Sequence, residues 1–248
     1  MNVPNPLDFN TNNLLHSLRE KDLELLGPYL KEKHFEAGTV LYEPGDNVRT
    51  VYFPKGPTLV SFVIELADGR AVETVLVGRE GAVGGIVSQG HLPAYARCVV
   101  QFSGPAFMID STELEVAKHQ SMTLRHLFSR YADCLVAQMF QSIACNAVHT
   151  IEQRTAKWLL AAIDRTGSQE VPLTQEQLAS MLGVGRSYIS RVIGGMRTDS
   201  LIETRRGKIR AGELERLRCL SCDCNELVQR HFDRVLEGVY PHETELAV

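Results

Sequence analysis

The period of the hydrophobic pattern changes along the chain, and each change marks a new kind of element. Residues 13–30 carry apolar side chains at helical spacing, Leu14, Leu15 and Leu18 and then Leu25 and Leu26. Lys21-Asp22 interrupts that stripe and Gly27-Pro28 ends it, which predicts a short helical entry segment. From His34 to Ile109 the period is two. Alternating runs at 40–42, 51–53, 59–66, 71–77, 97–102 and 106–109 are separated by turn residues such as Gly38, Pro44-Gly45, Asp68-Gly69 and the glycine-rich stretch 78–85. Asp68-Gly69 between alternating runs is a two-residue hairpin signal. Short strands at this spacing predict an antiparallel barrel or jelly roll.

After Ile109 the helical period returns. Asp110 with Glu113 opens one helix in a capping pattern, and Ser121 opens a long one that reaches about Thr150 without Pro or Gly. Its stripe of Leu124, Leu127, Tyr131, Leu135, Met139 and Ile143 is longer than a single domain surface needs, which predicts dimerisation through Leu124, Leu127, Tyr131, Leu135 and Met139. The alternative is that this face packs on its own barrel. Residues 151–165 continue as a further helix containing the one tryptophan, Trp158, expected in the core.

The segment 173–210 carries the chemistry. Thr174 with Gln177 is a capping-box start, Leu178 and Leu182 form an inner stripe, and Gly183 suits a left-handed turn. On a helical wheel begun at Arg186, residues Ile189, Val192, Ile193, Met196 and Tyr188 fill one arc. Arg186, Ser187, Ser190, Arg191, Gly194 and Arg197 fill the other, with no acidic group among them. Forked guanidinium donors and hydroxyls on one helical face are groups that read base edges and bind phosphates in a major groove. Short strands at 201–204 and 208–210 flank Arg205-Arg206-Gly207, so that Arg205, Arg206, Lys208 and Arg210 crowd a hairpin tip suited to a phosphate backbone. Helix, turn, helix and basic wing in that order are far more specific than any one part. Thr174, Gln175, Arg186, Ser187, Ser190, Arg191, Arg197, Arg205, Arg206 and Lys208 are the expected contacts to double-stranded DNA. Gly194-Gly195 inside this helix costs roughly 1 kcal/mol per glycine relative to alanine, so the helix is expected either to end early or to settle on DNA.

Charge changes the picture only when it is divided. The 248 residues carry a net charge of −4, which argues against a nucleic-acid binder. Residues 1–150 hold 12 Lys/Arg against 16 Asp/Glu, residues 151–218 hold 12 against 8, and residues 219–248 hold 2 against 6. The positive charge therefore sits in the helix–turn–helix segment, between acidic flanks that discourage non-specific adhesion. There is no apolar run of about 18 residues to span a membrane. The amino terminus has neither the basic start nor the apolar core of a signal peptide, so a cytoplasmic location is expected.

The order of barrel, long helix and winged helix–turn–helix resembles the CRP/FNR-type bacterial transcription regulators. The resemblance runs from about residue 14 to 218 and is carried by GREGAVGG at 78–85, QSIACNAVHTIEQRTAKWLLAAIDR at 141–165 and LTQEQLASMLGVGRSYISR at 173–191. It implies an α+β chain: a cyclic-nucleotide-binding-like sensor barrel with its entry segment (1–120), a dimerisation helix (121–150), a winged helix–turn–helix domain (151–218) and a tail helix (219–248). It further implies a homodimer whose recognition helices enter successive major grooves, with RNA polymerase as a further partner. Members that bind cyclic AMP carry a Gly-Glu pair and, some ten residues later, an Arg-Ser pair. Here Gly84 is followed by Gly85, and the nearest later cation, Arg97, is displaced by two residues. A buried phosphate without a well-placed cation is costly, so cyclic AMP is not the expected effector. If the barrel takes another ligand, Arg79, Glu80, Gly84, Gly85 and Arg97 are the candidate residues. Ser187 stands where several members place a glutamate that accepts from cytosine N4, so their half-site does not transfer.

Six cysteines remain: Cys98, Cys134, Cys145, Cys219, Cys222 and Cys224. None precedes Cys98, which argues against the amino-terminal iron–sulfur cluster of oxygen-sensing relatives. CLSCDC at 219–224 could place two thiolates on one ion, but a tetrahedral site needs more ligands. His231 shares a stripe with Leu227, Val228, Phe232 and Val235 on the tail helix, which reads as a packed position. No metal or cofactor is therefore expected, and the thiols read as reduced and structural, with redox sensing the alternative. The tail, an amphipathic helix over 223–236 ended by Gly238 and Pro241, is expected to dock on the barrel or on the partner subunit. His34 and His91 lack the paired spacing of a barrel metalloenzyme, and no nucleophile–base constellation is visible. The chain reads as a DNA-binding regulator and not as an enzyme. A ligand-gated or thiol-responsive regulator is the alternative.

Overall fold

The computed structural model of the chain describes residues 8–88 and 90–239. The entry segment is two short helices, α1 (Asn13–His16) and α2 (Glu20–Leu26), followed by a 3₁₀ turn over Gly27–Tyr29. The break falls at residues 17–19 instead of at Lys21-Asp22. Asp22 is buried and accepts a hydrogen bond from the Ser121 hydroxyl at 2.6 Å. Leu14, Leu15 and Leu26 enter the core as their spacing predicted.

The period-two region forms strands β1 (Lys31–Phe35), β2 (Val40–Tyr42), β3 (Thr50–Pro54), β4 (Leu59–Glu65), β5 (Ala71–Val77), β6 (Arg97–Phe102) and β7 (Gly104–Asp110). They pair in two antiparallel sheets, in the orders β2-β6-β4-β5 and β1-β7-β3. Alternation sets which face is buried: in β6, Cys98, Val100 and Phe102 point inward while Arg97, Val99 and Gln101 are only partly covered. Phe35, Tyr42, Val60, Val75, Val77 and Val100 fill the space between the sheets. Phe35 meets Tyr52 edge-on at 5.7 Å and Tyr42 tilts against Phe62 at 6.3 Å.

Helix α3 (Ser111–Gln120) starts on Asp110, whose carboxylate accepts from the Thr112 N–H, and α4 (Met122–Val148) starts on Ser121, whose hydroxyl accepts from the Leu124 N–H. The face of α4 expected to join two subunits belongs instead to the chain's own core. Leu124, Leu127 and Tyr131 are fully buried with Leu14, Phe53 and Phe107, and Leu135 packs against the same cluster. Leu124, Leu127 and Tyr131 are thus already covered within the single chain, and Leu135 is partly so. Of the predicted set Met139 is exposed, together with Val136, Phe140 and Ile143 on the neighbouring arc.

A capping box on Thr150 and Gln153 opens α5 (Ile151–Thr166), which ends on Gly167 in the left-handed conformation. Then come β8 (Glu170–Val171), α6 (Gln175–Leu182), α7 (Arg186–Thr198), β9 (Ile202–Arg205) and β10 (Lys208–Ala211), with the wing sheet in the order β8-β10-β9. Strand β8 and the short helix α8 (Leu214–Leu220) were not legible as period signals. The tail helix α9 (Cys224–Glu237) docks on α4: Phe232 meets Tyr131 edge-on at 6.1 Å, and Arg130 donates to the Val235 carbonyl. His231 on α9 is exposed, contrary to its predicted packing, and Pro241 lies outside the described residues. Among the described residues no helix is long and apolar enough to cross a membrane.

Candidate nucleic-acid interface

The helix–turn–helix is built from local rules. The Thr174 hydroxyl accepts from the Gln177 N–H at 3.2 Å while Gln177 Oε1 accepts from the Thr174 N–H at 2.9 Å. Gly183 closes α6 at φ 68°, a conformation that a side chain resists. Ile189, Val192, Ile193 and Met196 of α7 are buried against Leu178, Ala179 and Leu182 of α6. That packing turns Arg186, Ser187, Ser190, Arg191 and Arg197 outward, all exposed. The glycine pair does not end the helix: α7 runs through Gly194-Gly195 to Thr198, and beyond the adjacent helix backbone nothing lies within 4 Å of where a Cβ would stand on either glycine. Tyr188, placed by the wheel on the apolar arc, lies at its rim with the Arg191 guanidinium 5.2 Å from its ring centroid.

Two features join this face to its surroundings. The Ser190 hydroxyl donates to Gln175 Oε1 at 2.8 Å, fixing the start of α6 beside the middle of α7. A concave groove of about 530 Å³ lies between Thr174, Gln175, Arg186 and the wing residues 204–208. Arg205 and Arg206 are exposed at the wing tip, whereas Lys208 is paired with Glu170 of β8, so part of its charge is already answered. Among the described residues Arg186, Arg191, Arg197, Arg205 and Arg206 make no ion pair, so the face is a cluster of uncompensated cations.

The candidate effector residues are not brought together. Arg97 turns to the outside of the barrel, where Glu43 accepts from its Nε at 2.7 Å and Glu65 lies 3.9 Å away. The Glu43 hydrogen bond raises its pKa further. The turn at 78–85 is a latch between parts of the fold. A Cβ on Gly84, at φ 119°, would lie 2.3 Å from the Thr50 carbonyl oxygen, so backbone already fills that side. Arg79 donates to the Asp164 carbonyl of α5, and Glu80 pairs with Arg165 at 2.7 Å with both side chains largely covered. Arg79 and Glu80 also border a cavity of about 170 Å³ between this turn, α5 and α9.

Beside the latch, the Trp158 indole N–H donates to Glu73 Oε1 at 2.7 Å. Burial raises the Glu73 pKa to about 7 against the pull of Trp158 and Arg165. Sequence reasoning missed this carboxylate because β5 alternation gives no sign that α5 covers its outer face.

The cysteines sort into three environments. Cys98 lies inside the barrel, where burial pushes its thiol up to about 12, Cys134 lies on the buried face of α4, and Cys219 is exposed on α8. The other three gather where α4 ends. Cys145, Cys222 and Cys224 are buried together, with His149 beside them. The expectation that CLSCDC lacks partners is thus corrected, because the missing side chains come from α4.

The family model for the Crp-like helix-turn-helix domain matches residues 153–220. The fold is shared, over about three quarters of the chain, with solved structures of transcription regulators. A CRP-family transcriptional regulator from Thermus thermophilus is 20% identical with a TM-score of 0.64, covering 76% of this chain and 96% of that one. The c-di-GMP responsive global regulator CLP of Xanthomonas campestris is 15% identical with a TM-score of 0.62, covering 78% and 99%. FixK2 of Bradyrhizobium japonicum is 16% identical with a TM-score of 0.59, covering 78% and 98%. No curated protein matches the chain.

Proposed function

We propose that this chain is a sequence-specific, homodimeric DNA-binding transcription regulator that acts in the cytoplasm without enzymatic activity and without response to cyclic AMP. The observation that carries the reading is the outward face of α7, where Arg186, Ser187, Ser190, Arg191 and Arg197 stand exposed beside a basic wing. Guanidinium forks at the start of a helix docked this way reach guanine edges and flanking phosphates, and the wing tip adds backbone contacts. Thr174, Gln175, Arg205, Arg206 and Lys208 complete the contact surface around the groove.

Dimerisation is assigned to the exposed arc of α4, with Val136, Met139, Phe140 and Ile143 as the seam. Its apolar side chains recur at intervals of three and four, and Phe140 and Ile143 are each 68% exposed in the single chain. Independence from cyclic AMP is supported by the ion pairs that hold Arg97 outside the barrel and by the aromatic packing between the sheets. RNA polymerase is the further partner that a regulator of this type engages.

The test is a genomic binding-site selection with the purified protein, with and without cyclic nucleotides, repeated with Arg186→Ala and Arg191→Ala. Specific, two-fold-symmetric sites are expected without nucleotide. Each substitution is expected to weaken specific binding by about 1–3 kcal/mol. Specific binding that survives both substitutions refutes this reading face.

A further inference from the structure

A second chemistry lies some distance along the chain from the DNA-reading face, where α4 ends and α8 gives way to α9. Cys145 and His149 stand four residues apart across the last turn of α4, so both side chains project from one side. His149 is the residue just past the helix, in an extended conformation, its N–H still bonded to the Cys145 carbonyl. Cys222 and Cys224 flank Asp223 in the tight passage between α8 and α9. One ligand atom from each of the four residues lies within 4.8 Å of the other three.

We propose that Cys145, His149, Cys222 and Cys224 form a mononuclear Cys₃His site for zinc. Two of the ligand separations match those around one small tetrahedral ion, and the rest lie within 4.8 Å. Two thiolates bound at about 2.3 Å in tetrahedral geometry stand about 3.8 Å apart, and a thiolate and an imidazole nitrogen about 3.6 Å apart. Cys145 Sγ and Cys222 Sγ are 3.7 Å apart, and Cys224 Sγ and His149 Nδ1 are 3.6 Å apart. An iron–sulfur cluster interposes several atoms between its ligands and would spread them more widely than this. A disulfide between Cys145 and Cys222 would need their sulfurs at about 2.0 Å. Three soft thiolates with one imidazole select zinc over hard cations, and a closed set of four is the pattern of a structural site.

The surroundings match the charge and orientation such a site requires. Three thiolates on a divalent ion leave one negative charge, and the Lys157 ammonium of α5 lies 3.3 Å from Cys145 Sγ to balance it. The Gln141 side-chain amide donates to Cys224 Sγ at 3.1 Å, fixing that sulfur from α4. Loading the site releases the three thiol protons. The ion would tie the end of α4 to the turn that carries α9, at the junction where α5 begins the DNA-binding domain. This inference is independent of the DNA-binding reading.

The experiment uses the full chain purified without chelators. Elemental analysis is expected to find one zinc per chain. Exchange into cobalt(II) is expected to give thiolate charge-transfer absorption with the visible band envelope of a tetrahedral ion. Cys145→Ser and Cys222→Ser should each lose that spectrum, while Cys219→Ser and Cys98→Ser keep it. A readout that needs no variant guards against misfolding: Cys145, Cys222 and Cys224 should resist alkylation until a zinc chelator is added, as mapped by peptide mass. A folded wild-type chain without zinc that takes up cobalt(II) without tetrahedral absorption overturns the proposal. So does a Cys145–Cys222 disulfide in the native chain, or loss of metal in Cys219→Ser equal to that in Cys145→Ser.

Discussion

The Tyr131 hydroxyl closes two hydrogen bonds on one residue, accepting from the Ala82 N–H and donating to the Ala82 carbonyl, each at 3.0 Å. This contact joins the middle of α4 to the glycine-rich turn, and it works only because Gly81 lacks a side chain: a Cβ there would lie 2.0 Å from the same hydroxyl. Tyr131→Phe leaves a buried N–H and C=O without that partner, and is expected to cost about 1–3 kcal/mol in urea unfolding. Gly81→Ala, which drives a methyl into the ring, should cost more. Equal stability of Tyr131→Phe and wild type would show that the latch contributes nothing.

The exposed apolar arc of α4 gives a second expectation. Phe140→Asp places a charge on the exposed arc of an otherwise intact chain, so it should produce a folded monomer by sedimentation analysis, with DNA affinity falling alongside. Leu127→Asp instead buries a charge in the subunit core, and should fail to yield folded protein. A Phe140→Asp protein that remains dimeric would move the seam elsewhere.

These outcomes separate what the sequence could and could not reveal. Strands β2 to β7, the Thr174–Gln177 capping box, Gly183 and the outward arc of α7 follow from local rules, and each appears where its residues placed it. The α4 stripe was ambiguous for a physical reason. A stripe that packs on a barrel and one that packs on a partner are both apolar at the same spacing, and only the position of Phe53, Phe107 and Leu14 decides between them. Arg97 was misplaced because the facing carboxylate, Glu43, lies just past the end of β2, far away in sequence. The cluster of Cys145, His149, Cys222 and Cys224 was hidden most completely. Cys145 and Cys222 are 77 residues apart, and no local pattern foretells that the end of α4 meets the start of α9.

Glu73 makes stability depend on pH in a predictable direction. Its folded pKa, about 7, lies above its ordinary value of 4.5, so folding favours the protonated carboxyl. The favourable contribution is complete below pH 4.5 and is lost as pH rises through about 7. Glu73→Gln keeps an oxygen for the Trp158 indole N–H and removes the ionisation. It should flatten the stability profile across that window and gain about 1–3 kcal/mol at pH 8. Parallel profiles for the two proteins would place the titration on another group.

In the proposed interface the wing would take phosphate contacts and α7 the base contacts. Arg206 is exposed at the tip without an ion pair among the described residues, whereas Lys208 is tied to Glu170. Arg206→Ala should weaken binding to specific and random duplexes alike and reduce the salt-dependence slope by about 1 per subunit. Lys208→Ala should do less, because binding must first draw that ammonium from Glu170. Glu170→Gln releases the lysine and should strengthen binding at low salt. Arg186→Ala, by contrast, should change which sequences are preferred with little further change in slope. A base-specific defect in Arg206→Ala would place the wing tip in a groove and not along the backbone.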